Sequence, residues 1–134
     1  MARVLIADDS QANREVLKTI VTHMGHEVIE AKTGKEAIAQ LENQLPDLIL
    51  CDLEMPDGDG LDVVAWFSKQ TPISKIPVLL ITAIHDYASL RRRINNRGIS
   101  VEKVAATFSK PIDLEVFASC VRSLLTVYSA TRVA

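Results

Sequence analysis

Asp47-Leu-Ile-Leu-Cys-Asp-Leu-Glu-Met-Pro-Asp-Gly-Asp-Gly-Leu61 decides the fold. Leu48 to Cys51 is an apolar run of strand length that stops on a charge, Asp52. A strand apolar at every position has no face for water, so this one is expected in the middle of a sheet, covered on both sides. Met55 to Gly60, rich in Pro, Asp and Gly, then forces a turn, and Leu61, Val64 and Ala65 open a helical stripe. The stretch is one β-α unit.

The same unit recurs on both sides of it. Arg3 to Ala7 reads as a strand, followed by a helix face of Leu17, Ile20, Val21 and Met24 that Gly25 stops. Glu27 to Ala31 is a second strand, and Thr33-Gly-Lys-Glu36 is a capping box leading into Ile38, Leu41 and Leu45. Ile76 to Ile81 is a fourth strand, and Tyr87, Leu90 and Ile94 mark a fourth helix with Arg91, Arg92 and Arg93 beside the stripe. Val104 to Ser109 is a fifth strand, and Phe117, Cys120, Val121, Leu124 and Tyr128 carry a closing helix. Strands alternating with helices predict an α/β fold, a doubly wound parallel sheet with helices on both faces. Five strands fit the flavodoxin-like order 2-1-3-4-5, whose ligand site lies beyond the carboxyl ends of strands 1 and 3.

The 134 residues make one domain, and 48% apolar against 24% charged side chains is ordinary for a globular chain. Cys51 and Cys120 have no paired spacing, which excludes a disulfide framework and a cysteine zinc site and fits a reducing compartment. No apolar run is long enough for a membrane span, and the N-terminus does not read as a signal peptide, so the cytoplasm is the expected location. Charge is uneven. Residues 1–68 carry 5 basic and 13 acidic side chains, and residues 69–134 carry 10 basic and 4 acidic ones. The acidic half argues against a surface that tracks nucleic acid and is consistent with a cation site there.

Each predicted strand on the rim ends in a chemical group: Asp8-Asp9, Asp52, Thr82 and Lys110-Pro111. Three carboxylates in one pocket repel one another, and a bound divalent cation relieves the repulsion. Oxygen ligands alone select Mg²⁺, Ca²⁺ or Mn²⁺ over zinc. Few carboxylates, one ammonium and one hydroxyl suit a phosphoryl group held by metal on one side and lysine on the other. The Lys110-Pro111 bond is expected to be cis, which would aim Lys110 back over the rim. His23, His26 and His85 fall at helix ends or turns and are expected on the surface, whereas Cys51 faces away from Asp52 into the core. Of the adjacent Trp66 and Phe67, one is expected to pack and the other to lie partly exposed.

From Val4 to about Val127 the sequence resembles the response-regulator receiver domains of two-component signalling. The resemblance rests on Ala7-Asp-Asp-Ser-Gln-Ala-Asn-Arg14, on the Asp47–Leu61 stretch, on Pro77-Val-Leu-Leu-Ile-Thr-Ala83 and on Ser109-Lys-Pro111. Asn13-Arg14 is similar to receivers of phosphorelays and hybrid kinases. The resemblance implies a receiver over residues 1–127 with a C-terminal tail at 128–134. It implies Asp52 as phosphoacceptor, taking a phosphoryl group from a histidine kinase or a histidine phosphotransfer protein. Mg²⁺ would be held by Asp8, Asp9, Asp52 and the Glu54 backbone carbonyl. Lys110 would pair with phosphoryl oxygens, Thr82 would swing its hydroxyl onto them, and the small Ala83 would leave them room. Such a domain is a signalling phosphoacceptor with slow autodephosphorylation rather than an enzyme, and it signals by protein contact through the face of helix 4, strand 5 and helix 5.

Two features depart from the family pattern. Thr107 stands where an aromatic switch residue is usual, with Phe108 beside it on the other face of the strand. Thr82 to Lys110 spans 28 residues, longer than the pattern by about six, more than a helical turn. Both fall on the output side, so residues 86–103 are expected to respond to phosphorylation. A non-phosphorylated interaction module on the same scaffold is the competing reading, and the full set of rim residues argues against it. A haloacid-dehalogenase-type phosphohydrolase would need a second Asp two residues after its first, which Asp8-Asp9 does not supply. A flavodoxin would need a Ser/Thr-rich phosphate loop where Asp8-Asp-Ser-Gln stands.

Overall fold

Among the described residues, ten elements alternate along the chain. They are β1 (Arg3–Ala7), α1 (Gln11–His23), β2 (Glu27–Ala31), α2 (Gly34–Asn43), β3 (Leu48–Asp52), α3 (Gly60–Ser68), β4 (Val78–Thr82), α4 (Tyr87–Asn96), β5 (Ala106–Ser109) and α5 (Leu114–Val133). The structure is a computed structural model, which describes residues 1–70, 76–84, 86–99 and 104–133. The five strands form one sheet in the order β2-β1-β3-β4-β5, every pairing parallel. This is the doubly wound, flavodoxin-like order expected, and β1 lies directly against β3, Ala7 opposite Cys51.

The sheet separates two cores. Every position of β3 and β4 is buried, as continuous apolar runs require. Side chains alternate: Ile49, Cys51, Val78 and Leu80 pack with residues of α2, α3 and α4, whereas Leu48, Leu50, Leu79 and Ile81 pack with Leu17 and Val21 of α1 and Phe117 and Val121 of α5. Phe67 is buried and Trp66 only partly so. Phe108 turns to the second core and meets Phe117 edge-to-face, ring centres 5.9 Å apart, a favoured aromatic geometry.

Several expectations need correction. The fourth strand starts at Val78 and the fifth at Ala106, each two residues later than the apolar runs suggested. Helix α2 ends at Asn43, so Leu45 lies beyond it, half exposed. At Thr33 the side chain accepts from the Glu36 N–H, but the complete capping box is at α3, where Asp59 and Asp62 cap each other reciprocally. His26 is half-buried rather than a surface residue, because its Nδ1 accepts from the Ala2 N–H at 3.0 Å. Helix α5 runs on to Val133, through the residues expected as a C-terminal tail. His85 and residues 100–103, the end of the long output segment, lie outside the described residues.

One contact fixes the loop after β3. Helix α2 begins by donating from Gly34 N to Gly58 O at 2.9 Å and from Lys35 N to Asp57 O at 3.0 Å. These two N–H groups have no partner within their own helix. An ideal Cβ on Gly34 would stand 2.3 Å from the Gly58 carbonyl oxygen, so only glycine allows the approach. Asp57 and Gly58 take positive φ, +50° and +96°, to present those carbonyls.

Candidate functional site

Parallel strands all point their carboxyl ends the same way, so Ala7, Asp52, Thr82 and Ser109 end at one rim. Asp8 and Asp52 are each 1% exposed, Asp9 is exposed and Thr82 is fully buried. Lys110 N donates to Thr82 O at 2.8 Å, which docks the loop after β5 onto the end of β4. The Lys110-Pro111 bond is cis, as expected. Lys110 Nζ reaches Asp52 Oδ2 at 2.7 Å. The other carboxylate oxygen, Oδ1, accepts from Glu54 N at 3.0 Å.

Carboxylate oxygens of Asp8, Asp9 and Asp52 lie within 4.8 Å of one another, so three of the predicted metal ligands come together. Asp8 Oδ1 accepts from Ser10 N at 2.9 Å, but Asp8 Oδ2 is buried without a hydrogen-bond partner among the described residues. A buried carboxylate oxygen left without a donor is costly unless a cation takes it. All available donors are hard oxygens, which suits Mg²⁺. Burial pushes the Asp52 carboxyl up to about 6, against the lowering pull of the Lys110 ammonium and the Glu54 N–H. Burial also raises Asp8, opposed first by the Ser10 hydrogen bond and then by the Lys110 charge. Burial works to lower the Lys110 ammonium, yet its hydrogen bond to Asp52 and the surrounding carboxylates prevail and hold it above the usual value. The pocket therefore holds more negative charge than one lysine offsets, the condition that favours a divalent cation.

Two participants escape the reading of the sequence. Arg14, on α1, is 6% exposed and donates from Nη1 to Asp8 O at 2.8 Å, with its Nε on Glu30 Oε1 at 3.3 Å. Nothing in the sequence marks it as buried, since its partners come from β1 and β2. Glu54 enters through its side chain: Oε1 accepts from Thr82 Oγ1 at 2.8 Å and from Ala83 N at 3.3 Å. Its place two residues beyond the strand-end Asp52 is the only signal the sequence carries.

Beyond the rim, α4 is tied to the start of α3. Arg93 pairs with Asp59 at 3.3 Å, and Arg97 pairs with Asp59 at 3.7 Å and with Asp62. Thr107 is exposed and lines a groove of about 150 Å³ between α4 and β5, with Tyr87, Leu90 and Ile94 on its far wall.

The response regulator receiver domain profile matches residues 4–122. The polar-differentiation response regulator DivK of Brucella ovis is 30% identical over 122 residues, covering 91% of this chain and 94% of that one. The signal receiver domain of a signal transduction histidine kinase from Syntrophus aciditrophicus is 32% identical, with a TM-score of 0.80 over 94% of this chain and 91% of that one. A CheY-like receiver domain protein from Methanospirillum hungatei shares the fold, with a TM-score of 0.83 at 24% identity over 98% of both chains. With its strand order, its acidic rim and a profile match over most of its length, the chain belongs to the response regulator receiver domains of two-component signalling.

Proposed function

We propose that Asp52 accepts a phosphoryl group from a phosphohistidine on a histidine kinase or a histidine phosphotransfer protein. The observation that carries this is the buried Asp52 carboxylate, 2.7 Å from Lys110 Nζ and grouped with Asp8 and Asp9. In the transfer a P–O bond forms to Asp52 as the P–N bond breaks, and the imidazole nitrogen keeps the electron pair. A carboxylate is a competent nucleophile for this step. Asp8, Asp9, Asp52 and the Glu54 carbonyl would hold Mg²⁺, which neutralises charge on the phosphoryl oxygens when bound. Lys110 stands ready to ion-pair with the phosphoryl group from the side on which it now holds Asp52. Thr82 supplies a hydroxyl at the adjoining strand end, and slow attack of water on the acyl phosphate resets the protein.

The signal leaves by protein contact at the face of α4, β5 and α5, and the long segment from Asp86 takes part. Support for this comes from the ion pairs joining α4 to the helix that follows the Asp52 loop. Among the described residues no helix is long and apolar enough to cross a membrane. The free Cys51 and Cys120 support the cytoplasm as the working compartment.

The test is labelling by acetyl phosphate with Mg²⁺, read by intact mass. One phosphoryl group is expected, removed by Asp52→Asn and suppressed by a chelator. Labelling of Asp52→Asn at the wild-type rate refutes the assignment.

A further inference from the structure

Helix α4 and β5 leave a groove between them that phosphoryl acceptance does not use. Leu90 and Ile94 of α4 line one side and Val104 and Ala106 the other. Tyr87 and Thr107 line it as well and are both exposed. Its volume of about 150 Å³ equals that of an aliphatic cavity that holds one benzene ring. Small-molecule pockets begin at about twice that, roughly 300 Å³. A slot of one ring's size therefore suits a single side chain brought by another protein, the usual form of an interface anchor. The neighbouring aromatic of β5, Phe108, is turned to the opposite core against Phe117 and does not line the groove.

The rim of the groove is basic. Tyr87–Asn96 holds three arginines and no acid. Arg93 is offset by Asp59. Arg91 lines the groove, is exposed and has no ion pair among the described residues. Arg92 is exposed too, and its Nη2 donates to Ser89 Oγ at 3.1 Å. The Asp86 carboxylate at the start of α4 is engaged in capping, accepting from Ala88 N and Ser89 Oγ. Guanidinium groups beside an apolar slot favour carboxylates next to the ring that fills it. From this geometry, and resting on the reading of the α4, β5 and α5 face as the contact surface, we propose that the α4–β5 groove binds an aromatic side chain of an acidic protein segment. The ring anchors the segment, and the flanking carboxylates meet Arg91 and Arg92.

The experiment is an NMR titration of the full, isotope-labelled chain with a capped peptide, Glu-Asp-Phe-Asp-Glu, at low salt. Shifts are expected at residues 90–94 and 104–107. Alanine in place of the peptide's phenylalanine should weaken binding about tenfold. Arg91→Gln should weaken it about threefold. Thr107→Phe fills the groove from within and should abolish the shifts at residues 90–94. If that variant does not fold, the peptide series on wild type still decides. Shifts elsewhere, or none, overturn the proposal. Equal binding by the alanine peptide overturns it, because charge alone would then carry the contact. Equal binding by Lys-Lys-Phe-Lys-Lys overturns the acidic partner, and the proposal with it. Acetyl phosphate labelling of the same protein keeps the two readings apart. Groove shifts in a protein that does not label at Asp52 support this proposal and overturn the acceptor reading. Normal labelling at Asp52 without groove shifts overturns this proposal alone.

Discussion

Arg14 Nη1 donates to the main-chain oxygen of Asp8 at 2.8 Å, so the acidic end of β1 hangs on a guanidinium from α1. That guanidinium is itself held by Glu30 at the end of β2, which also takes Lys18 Nζ at 3.1 Å. The carboxylate pair is thus braced from two neighbouring elements before any cation arrives. A ligand set fixed in advance binds with less loss of conformational freedom.

Arg14→Met should therefore do two things. It leaves the Asp8 carbonyl without its donor and Glu30 with Lys18 alone, a loss of about 2 kcal/mol in stability. It should also raise the Mg²⁺ concentration needed for half-maximal labelling by acetyl phosphate, by about threefold or more. Urea unfolding reads the first effect and a magnesium titration the second. A variant with the stability loss but an unchanged magnesium requirement would make Arg14 a fold residue only.

The Glu30 carboxyl is held below its usual value, first by the Lys18 hydrogen bond and then, against the opposing effect of burial, by the Lys18 charge and Arg14. A depressed folded value means that the unfolded chain binds more protons than the native one in that range. The stabilisation is fully present above the unfolded value of 4.5 and is lost as pH falls through the folded value. Glu30→Gln should melt below wild type near neutral pH, and the gap should close as pH falls below the unfolded value and through the lower folded one. Melting curves of both proteins across that range check this. A gap that stays constant with pH assigns the effect to packing.

Helix α4 is joined to α3 by Arg93 and Arg97 on Asp59 and Asp62, and Asp59 caps the helix that follows the Asp52 loop. Movement in that loop therefore has a direct path to α4, whichever residue stands at position 107. Acetyl phosphate with Mg²⁺ should lower hydrogen-exchange protection across 86–99. Arg97→Ala should lower it without phosphorylation, by about two- to fivefold, since exposed ion pairs are worth a fraction of a kcal/mol to about one. Changes confined to the loops around Asp52 and Thr82 would make the segment passive.

Gly34→Ala probes the opposite wall. The added methyl would stand 2.3 Å from the Gly58 oxygen and 2.6 Å from the Gly58 carbon, both backbone atoms with little freedom. Separating α2 from the loop should cost about 2 kcal/mol, more than alanine returns in helix propensity. A urea midpoint at or above wild type would contradict the contact.

The sheet and the rim were legible because both follow from short-range pattern. Leu48 to Cys51 and Val78 to Ile81 are apolar at every position, and the order of alternating strands and helices then places Asp8, Asp52, Thr82 and Lys110 together. The strand starts were misplaced where Ile76 and Val104 continue the apolar run but sit outside the ladder. Leu45 continued the stripe of α2 in sequence, but the helix stops at Asn43. The side-chain roles of Arg14 and Glu54 were hidden for another reason. A charged residue at a helix surface or in a turn is read as solvated, and only partners distant in sequence, Asp8 and Glu30 for Arg14 and Thr82 for Glu54, hold these two side chains at the site.

Cys51 is fully buried one residue before Asp52, and burial together with the Asp52 charge raises its thiol far above the reactive range. Cys120, the other cysteine, lies half-buried on α5. A maleimide should thus enter the folded protein at Cys120 only, whereas an unfolded chain offers both sulfurs. The second equivalent of dye becomes a clock for how often β3 opens, placed on the strand that carries the acceptor carboxylate. Slower uptake of that second dye on adding magnesium would report ligand stabilisation from inside the core, with no label near the reacting atoms.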